Sequence, residues 1–173
     1  MKKIILFLAA ILTTLSVRAQ MIAAHTDLAL WGLQAYNIGA EMIISNHSTL
    51  SLDGFYTKNP YWRDGNKDME AYGIQPELRY YFGGRPMYHH FVGISALVGH
   101  YDVIWNETKN VGPAAGAGLT FGYVLPITER LTIDAHAGLG LVVARNTKNE
   151  IRKDWVYQLM PTKVGITLSY IIR

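Results

Sequence analysis

The chain of 173 residues contains no cysteine, which excludes disulfide bonds, thiolate metal sites, cysteine nucleophiles and the lipid-modified cysteine of a bacterial lipoprotein. It also lacks a long apolar run, because the stretch from Ile4 to Leu12 is too short to span a bilayer comfortably as a helix. No long amphipathic helix pattern and no internal repeat is present. What remains is a series of short segments in which apolar and polar residues alternate.

The first nineteen residues have the pattern of an export signal. Lys2 and Lys3 open it, the apolar run from Ile4 to Leu12 follows, and small residues end at Ala19. This segment holds three of the sixteen basic residues and none of the thirteen acidic ones, so its removal takes the formal charge from +3 to zero. We therefore predict a cleavable signal peptide over 1–19 and one domain over 20–173. The basic pI gives no argument for nucleic acid as a partner.

The clearest alternating segment runs from Gly73 to Phe82. With a period of two, one side carries Ile74, Pro76, Leu78, Tyr80 and Phe82, and the other carries Gln75, Glu77, Arg79 and Tyr81. Seven further segments alternate in the same way: Ile22 to Trp31, Ala35 to Ile44, Thr49 to Tyr56, one beginning at Phe91, Ala115 to Leu125, Leu131 to Ala144 and Thr162 to Ile172. Their lengths are close to the ~9–11 residues that a tilted strand needs to cross a bilayer. Eight is also the smallest even strand number usual in single-chain outer-membrane barrels.

One face of these segments carries no charged residue, and the other carries the charges. Because a basic residue facing lipid at mid-depth costs roughly 2–4 kcal/mol, we predict that the apolar face meets lipid and the polar face lines the lumen. An eight-stranded barrel has room inside for side chains rather than for a wide channel. The predicted lumen polar network consists of Asp27, Glu41, Asp53, Glu77, Arg79, Asp134, His136 and Lys163, with His25 beside it. Its five acids exceed its two bases, and protonated histidines, a protonated acid or trapped water would balance them.

The aromatic residues favour the two ends of the segments. We predict an aromatic belt formed by Trp31, Trp62, Trp105 and Trp155 at one end and by Tyr80, Phe82, Tyr123 and Tyr170 at the other, with Tyr81 and Phe91 in the second group. A soluble β-sandwich would tend to place its tryptophans in the middle of strands. The sequence therefore predicts an all-β fold, an eight-stranded antiparallel up-and-down transmembrane β-barrel in the cell outer membrane.

The connections are predicted to alternate in length. Short ones are Ser45 to Ser48, Gly83 to His90 and Ile127 to Arg130, and longer polar ones are Thr57 to Tyr72, Asn106 to Ala114 and Arg145 to Pro161. With both termini in the periplasm, the longer loops face outward. Pro76 has no N–H to donate to a closed ladder, so a local bulge is predicted there.

The run Gln75-Pro76-Glu77-Leu78-Arg79-Tyr80-Tyr81-Phe82 is the most specific piece of a wider resemblance. With Gly93 to Tyr101, Gly116 to Tyr123 and Leu131 to Asp134, it resembles a family of small Gram-negative outer-membrane β-barrels of unknown function. The chain is more distantly similar in plan to the OmpA and OmpX barrels. The resemblance implies the fold and the location, and it supplies no catalytic residues. Many such barrels end on an aromatic residue recognised by the barrel assembly machinery, whereas this chain ends on Arg173.

Two pairs on the polar face have spacings that suit chemistry. Glu77 and Arg79 share that face and suit either a proton or ion path or a salt-bridge network that plugs the barrel. Asp134 and His136 have the spacing of an acid/base pair, but the sequence places no serine nucleophile beside them. Adjacent His89 and His90 point apart on a strand, so with the distant His100 they make a poor metal site.

We therefore expect a non-enzymatic outer-membrane barrel with a plugged lumen that acts structurally or through its outer loops. Its expected partners are outer-membrane lipid, the barrel assembly machinery and a protein or carbohydrate bound at the loop from Thr57 to Tyr72. No cofactor, metal or nucleic acid is expected. Two alternatives stay open: an outer-membrane enzyme that acts on lipid acyl chains through Asp134 and His136, and a soluble exported barrel that binds an apolar ligand.

Overall fold

The computed structural model describes residues 21–58, 69–105, 108–145 and 155–172, and the predicted signal peptide over 1–19 and Trp62 lie outside them. The strands are β1 Ile22–Asp27, β2 Ala35–Ile43, β3 Ser48–Lys58, β4 Met69–Tyr81, β5 His89–Trp105, β6 Thr108–Pro126, β7 Leu131–Arg145 and β8 Trp155–Ile172, with a short helix α1, Leu28–Gly32, after β1. Each strand pairs antiparallel with the next, and β8 pairs with β1. This closed barrel confirms the predicted all-β fold of eight antiparallel strands. Among the described residues, no helix has the length and apolar character that a membrane crossing requires.

The outer and inner faces of the barrel carry opposite kinds of side chain. In β4, Ile74, Leu78 and Tyr80 are about half exposed, whereas Glu77 and Arg79 are 1% exposed. Successive side chains of a strand point to opposite faces, and most of β7 and the second half of β8 show the same alternation of exposed and buried residues. The wall is therefore apolar outside and polar inside, the reverse of a sheet in a soluble protein.

The two ends of the barrel differ in their connections. We call the end that carries Ile22 and Ile172 the terminal end, and the opposite end, which carries α1, the α1 end. Among the predicted belt residues, Trp31 and Trp155 are exposed near the α1 end, and Tyr80, Phe82, Tyr123 and Tyr170 are exposed near the terminal end. The side chain of Trp105 lies outside the described part of the chain.

Tyr81 and Phe91 do not belong to the aromatic belt, so that part of the prediction was wrong. Both side chains are fully buried inside the barrel, where their rings lie 5.5 Å apart. The reason is parity, because Tyr81 lies two residues after Arg79 and therefore points to the same side of the sheet.

The first strand is shorter than predicted, since β1 ends at Asp27 and not at Trp31. The Asp27 carboxylate accepts hydrogen bonds from the backbone N–H groups of Ala29 and Leu30, at 2.8 and 3.2 Å. This is the N-cap arrangement that begins a helix, and it gives the backbone an alternative to the sheet ladder. The chain therefore turns into α1, whose apolar residues also fit the alternating pattern of a strand.

Two predicted polar loops contain residues that belong to strands. β5 and β6 stay paired up to Trp105 and Thr108, so the predicted loop from Asn106 to Ala114 was wrong. An ion pair of 2.8 Å between Lys109 and Asp102 joins these strands near their ends, and such cross-strand pairs stabilise a ladder. Similarly, β8 begins at Trp155, within the predicted loop from Arg145 to Pro161.

The predicted bulge at Pro76 is also absent. The β4–β5 pairs run to Ile74–Val98 and resume at Glu77–Ser95 without a shift of register. The register shift in the described ladders lies instead between Gly138 and Leu139, opposite Pro161 on β8. A proline without an N–H does mark a bulge in this barrel, but the proline is a different one.

Gly165 on β8 gives the Asp27 carboxylate its space. A Cβ atom at position 165 would overlap that carboxylate, which also accepts a hydrogen bond of 3.2 Å from the N–H of Ile166. At Gly32, by contrast, an added Cβ would meet no atom within 4 Å.

We predict that Gly165→Ala lowers the free energy of unfolding by about 1–3 kcal/mol, because the new methyl group displaces a carboxylate that holds three N–H groups. The matched variant Gly32→Ala should leave it unchanged or raise it slightly, since alanine favours a helix. Urea unfolding of the detergent-solubilised protein, followed by electrophoretic mobility, measures both. Equal effects of the two variants would contradict this account of Gly165.

Candidate functional site in the barrel lumen

Arg79 lies at the centre of the ionic contacts inside the barrel. Its Nε donates to Glu77 Oε2 at 2.8 Å, and its Nη1 donates to Glu41 Oε2 at 3.1 Å and to Asp134 Oδ2 at 3.4 Å. The guanidinium carbon lies 4.5 Å from the centre of the Phe91 ring. A guanidinium presents several donors in a rigid plane, so one side chain joins acids from β2, β4 and β7 across the lumen.

Lys163 forms a second centre next to the first. Its Nζ donates to Glu77 Oε2 at 2.8 Å and to Asp53 Oδ2 at 2.9 Å. The other oxygen of Asp53 lies 2.6 Å from Nε2 of His25. Glu77 therefore contacts both cations and links β8 to the acids around Arg79.

His136 connects two further acids. Its Nδ1 lies 2.7 Å from Asp134 Oδ1, and its Nε2 lies 3.5 Å from Asp27 Oδ2. Each of the five predicted lumen acids thus contacts a basic side chain or an imidazole. With both imidazoles protonated, five negative charges would face four positive ones, so the network has no excess of positive charge.

The structure brings all the predicted lumen residues inside the barrel and adds hydroxyl groups that the sequence reading missed. Tyr81 donates its hydroxyl hydrogen to Glu41 Oε1 at 2.7 Å, and Thr49 donates to the same oxygen at 2.5 Å. A Cβ atom at Gly93 would overlap the Glu77 carboxylate, so glycine makes room for the long side chains. The period of two, which places Tyr81 on the face of Arg79, predicts this position correctly, whereas the assignment of Tyr81 to the aromatic belt does not.

Below this network, towards the terminal end, two clusters of apolar side chains are buried in the lumen. Tyr81, Phe91 and Val124 form one buried cluster. Met87, from the β4–β5 connection, packs with Ala23 and Ile171 in another.

Towards the α1 end, the lumen holds an apolar cavity of about 360 Å³. Its apolar lining includes Leu30, Leu33, Ala35, Phe55 and Leu97, and Asp53 and Lys163 of the network lie at its floor. A second cavity of about 270 Å³ shares Phe55 and Leu97 and reaches Val142 and Met160. The alternating pattern does not predict this chamber, because it indicates a polar inner face along the whole length of the barrel.

The other histidines do not assemble into a site. His89 and His90 are exposed near the terminal end, where both rings contact that of Tyr123. His100 lies near the α1 end, with its ring 5.7 Å from that of Tyr72. In the described ranges, no three histidine, aspartate or glutamate side chains form a group that could hold a metal ion.

We predict that Arg79→Met lowers the free energy of unfolding by about 3–5 kcal/mol, because it leaves Glu41, Glu77 and Asp134 without their shared cation. The matched variant Arg85→Met, at an exposed arginine whose guanidinium lies 3.8 Å from the centre of the Tyr88 ring, should lower it by no more than about 1 kcal/mol. The urea midpoint of each variant, with an unchanged slope, is the measurement. A loss at Arg79 no larger than that at Arg85 would show that the network does not hold the barrel together.

The comparisons with known proteins agree with this architecture. The crystal structure of Neisserial surface protein A (NspA) is similar to this chain with a TM-score of 0.51 and 17% sequence identity, over 87% of this chain and 94% of that one. At this identity the likeness concerns the fold. No match is found among curated proteins. The model of the family described as "Protein of unknown function (DUF3575)" matches residues 4–172, and the chain therefore belongs to this family.

Proposed function

We propose that this protein is a non-catalytic outer-membrane β-barrel whose outer wall meets lipid, whose lumen is plugged and whose loops at the α1 end face the cell exterior. The observation that carries the proposal is the distribution of side chains in the wall, which is the reverse of that in a soluble sheet: apolar side chains lie outside and a buried ionic network lies inside. The fold likeness to NspA, a surface protein, supports the same assignment. The protein would act structurally or by binding through its outer end.

The outer wall supports lipid as the surrounding medium. Its middle carries exposed aliphatic side chains, among them Ile38, Ile94, Leu119, Leu139 and Leu141, each at least 60% exposed. Soluble monomers rarely expose contiguous apolar patches larger than a few hundred Å², and larger ones mark interaction or membrane surfaces. The exposed aromatic residues at the two ends suit the two interfaces of a bilayer.

The ionic network and the apolar clusters support a plug rather than a channel. An ion that passed through the lumen would have to separate Arg79 from its three acids and then displace Met87 and its neighbours, and breaking buried ion pairs is costly. The same contacts support the absence of catalysis at Asp134 and His136. The contacts of that imidazole within the described chain are with Asp134 and Asp27, both carboxylates, and not with a hydroxyl nucleophile.

The α1 end supports binding of a protein or carbohydrate at the exterior. Trp155 and Tyr157 are exposed there, and the Arg145 guanidinium lies 5.6 Å from the Trp155 ring centre. Exposed aromatic and basic groups are common at such contact surfaces. The barrel assembly machinery and outer-membrane lipid complete the proposed partners.

Heat-modifiable electrophoresis of the membrane fraction tests barrel and location together. We expect the protein to sediment with outer membranes, to need detergent for extraction and to change mobility only after boiling. A protein that stayed soluble without detergent after native purification would overturn the proposal.

Depth-dependent substitution tests the lipid-facing wall directly. Leu119→Arg, in the middle of β6, should lower the free energy of unfolding in lipid by about 2–4 kcal/mol, because the charge would lie in hydrocarbon. Ile127→Arg, on an equally apolar exposed side chain in the turn after β6, should cost only about 0–1 kcal/mol, since that turn lies near the interface. Urea titration in liposomes measures both. In a barrel surrounded by water, the two substitutions would be equally harmless.

A further inference from the structure

The barrel wall has a gap above β1. β1 pairs with β8 as far as Asp27–Thr167, but with β2 only as far as His25–Gly39. β8 continues to Trp155 and β2 begins at Ala35, so no strand lies between them above Asp27. At the edge of this gap, hydrogen bonds to the Asn37 side chain replace the backbone ladder between β1 and β2. Asn37 Oδ1 accepts from the Thr26 hydroxyl at 2.8 Å and from the Asp27 N–H at 2.7 Å.

The helix α1 occupies the gap. It packs against β8 and β2 and has no buried residue. Its Leu30 lines the cavity inside, while Trp31 lies on the outside and donates its indole N–H to Thr26 Oγ1 at 2.9 Å. Since α1 donates no ladder hydrogen bonds to its neighbours, opening this part of the wall breaks fewer bonds than parting two strands.

The apolar chamber extends from the lumen to this gap. The cavity of about 360 Å³ is lined by luminal Phe55 and Leu97, by Leu33 after α1, and by Val164, whose side chain is 56% exposed on the outer wall. One cavity thus touches both the inside and the outside of the barrel. The network closes it below, so it is a blind chamber that opens towards the surrounding medium.

The chemistry of the chamber selects a hydrocarbon chain. Its charged lining groups already contact the network, because Asp27 lies next to His136 and Lys163 donates to Asp53 and Glu77. The floor has no excess of positive charge, which disfavours an anionic headgroup at the bottom, so an amphiphile would enter with its tail first. The uncharged polar lining residues are Asn37, Gln75, Thr162 and Thr167. The Asn37 and Gln75 side chains are already hydrogen-bonded, whereas the Thr162 hydroxyl has no hydrogen-bond partner within the described chain and offers a polar contact.

We infer that this chamber binds one acyl chain of a membrane amphiphile, which enters tail-first through the gap between β8 and β2 and leaves its headgroup at the wall. The inference rests on the proposed membrane location, because a gap in a lipid-facing wall opens onto acyl chains. It goes beyond that proposal by assigning a binding site, a ligand class and an entrance.

The test uses the purified full barrel in detergent and stearate with a nitroxide near its methyl end. Electron paramagnetic resonance should show an immobilised component with the wild type. Leu97→Trp, which fills the chamber, should weaken binding about tenfold or more. The Val98→Trp variant, with the same substitution one residue later on the outer face, should bind the labelled stearate as tightly as the wild type does. Equal binding by Leu97→Trp and the wild type, or equal loss in both variants, would overturn the inference.

A smaller substitution keeps the test independent of tryptophan packing. The chain has no cysteine, so Leu97→Cys and Val98→Cys each carry a single thiol. Stearate should slow maleimide labelling of Leu97→Cys severalfold and leave that of Val98→Cys unchanged, and equal protection of both thiols would contradict a bound chain.

Two further readouts separate the possible sources and the possible failures. Repeating the resonance experiment with nitroxide-labelled phosphatidylcholine identifies a bilayer lipid if that probe is also immobilised, and a free fatty acid if stearate alone is. Heat-modifiable mobility reports folding of every variant. A membrane-embedded, heat-modifiable wild type that immobilises neither probe would overturn the chamber alone, whereas a protein soluble without detergent would overturn the proposed function itself.

Discussion

The fold depends on a guanidinium that has been taken out of water. Arg79 is 1% exposed, and its acceptors come from three different strands. A buried charge is tolerated only when it is paired and hydrogen-bonded. Glu77 lies on the same strand as Arg79, but Asp134 lies on β7, three strands away along the sheet, and contacts Arg79 across the lumen. The ion pair between Arg79 and Asp134 therefore requires the closed ring, because a flat sheet with the same strands would hold these two side chains apart.

The need to satisfy buried polar groups also explains why Asp27 has several roles at the end of β1, where the ring has a gap. A closed barrel satisfies its backbone groups through neighbouring strands, but β1 is too short to do so along the full height of β8. Asp27 compensates because its carboxylate caps α1, accepts the free N–H of Ile166 and approaches His136. The Asp27 side chain thus fixes the end of β1, the start of α1 and one edge of the network. Gly165 leaves room for its carboxylate.

The sequence predicted the strand number, the faces and the membership of the ionic network, because the two-residue period of a strand does not depend on its surroundings. It did not predict contacts that depend on register between strands. Phe55 and Leu97 line one chamber only because of the order and stagger of the strands around the ring, which a single sequence leaves open. The end of β1 was missed for a different reason, since Leu28 to Trp31 are apolar and fit either a strand or a capped helix. Likewise, Pro76 and Pro161 look alike in the sequence, and only the ladder shows which one lies at a shifted register.

The division of the lumen into a charged middle and an apolar α1 end has a consequence for what this barrel can do. A solute that crosses a barrel needs a path that is wet or polar along its whole length, and here apolar clusters lie below the network and an apolar chamber lies above it. A polar solute would lose its hydration on entering either apolar layer. An acyl chain would meet buried charges on entering the ionic network. In the proposed binding mode, an acyl chain would therefore stop at Asp53 and Lys163, which line the chamber, and would leave by the way it entered. The layered lumen thus supports our proposals of a bound ligand and a plugged barrel over a transport path.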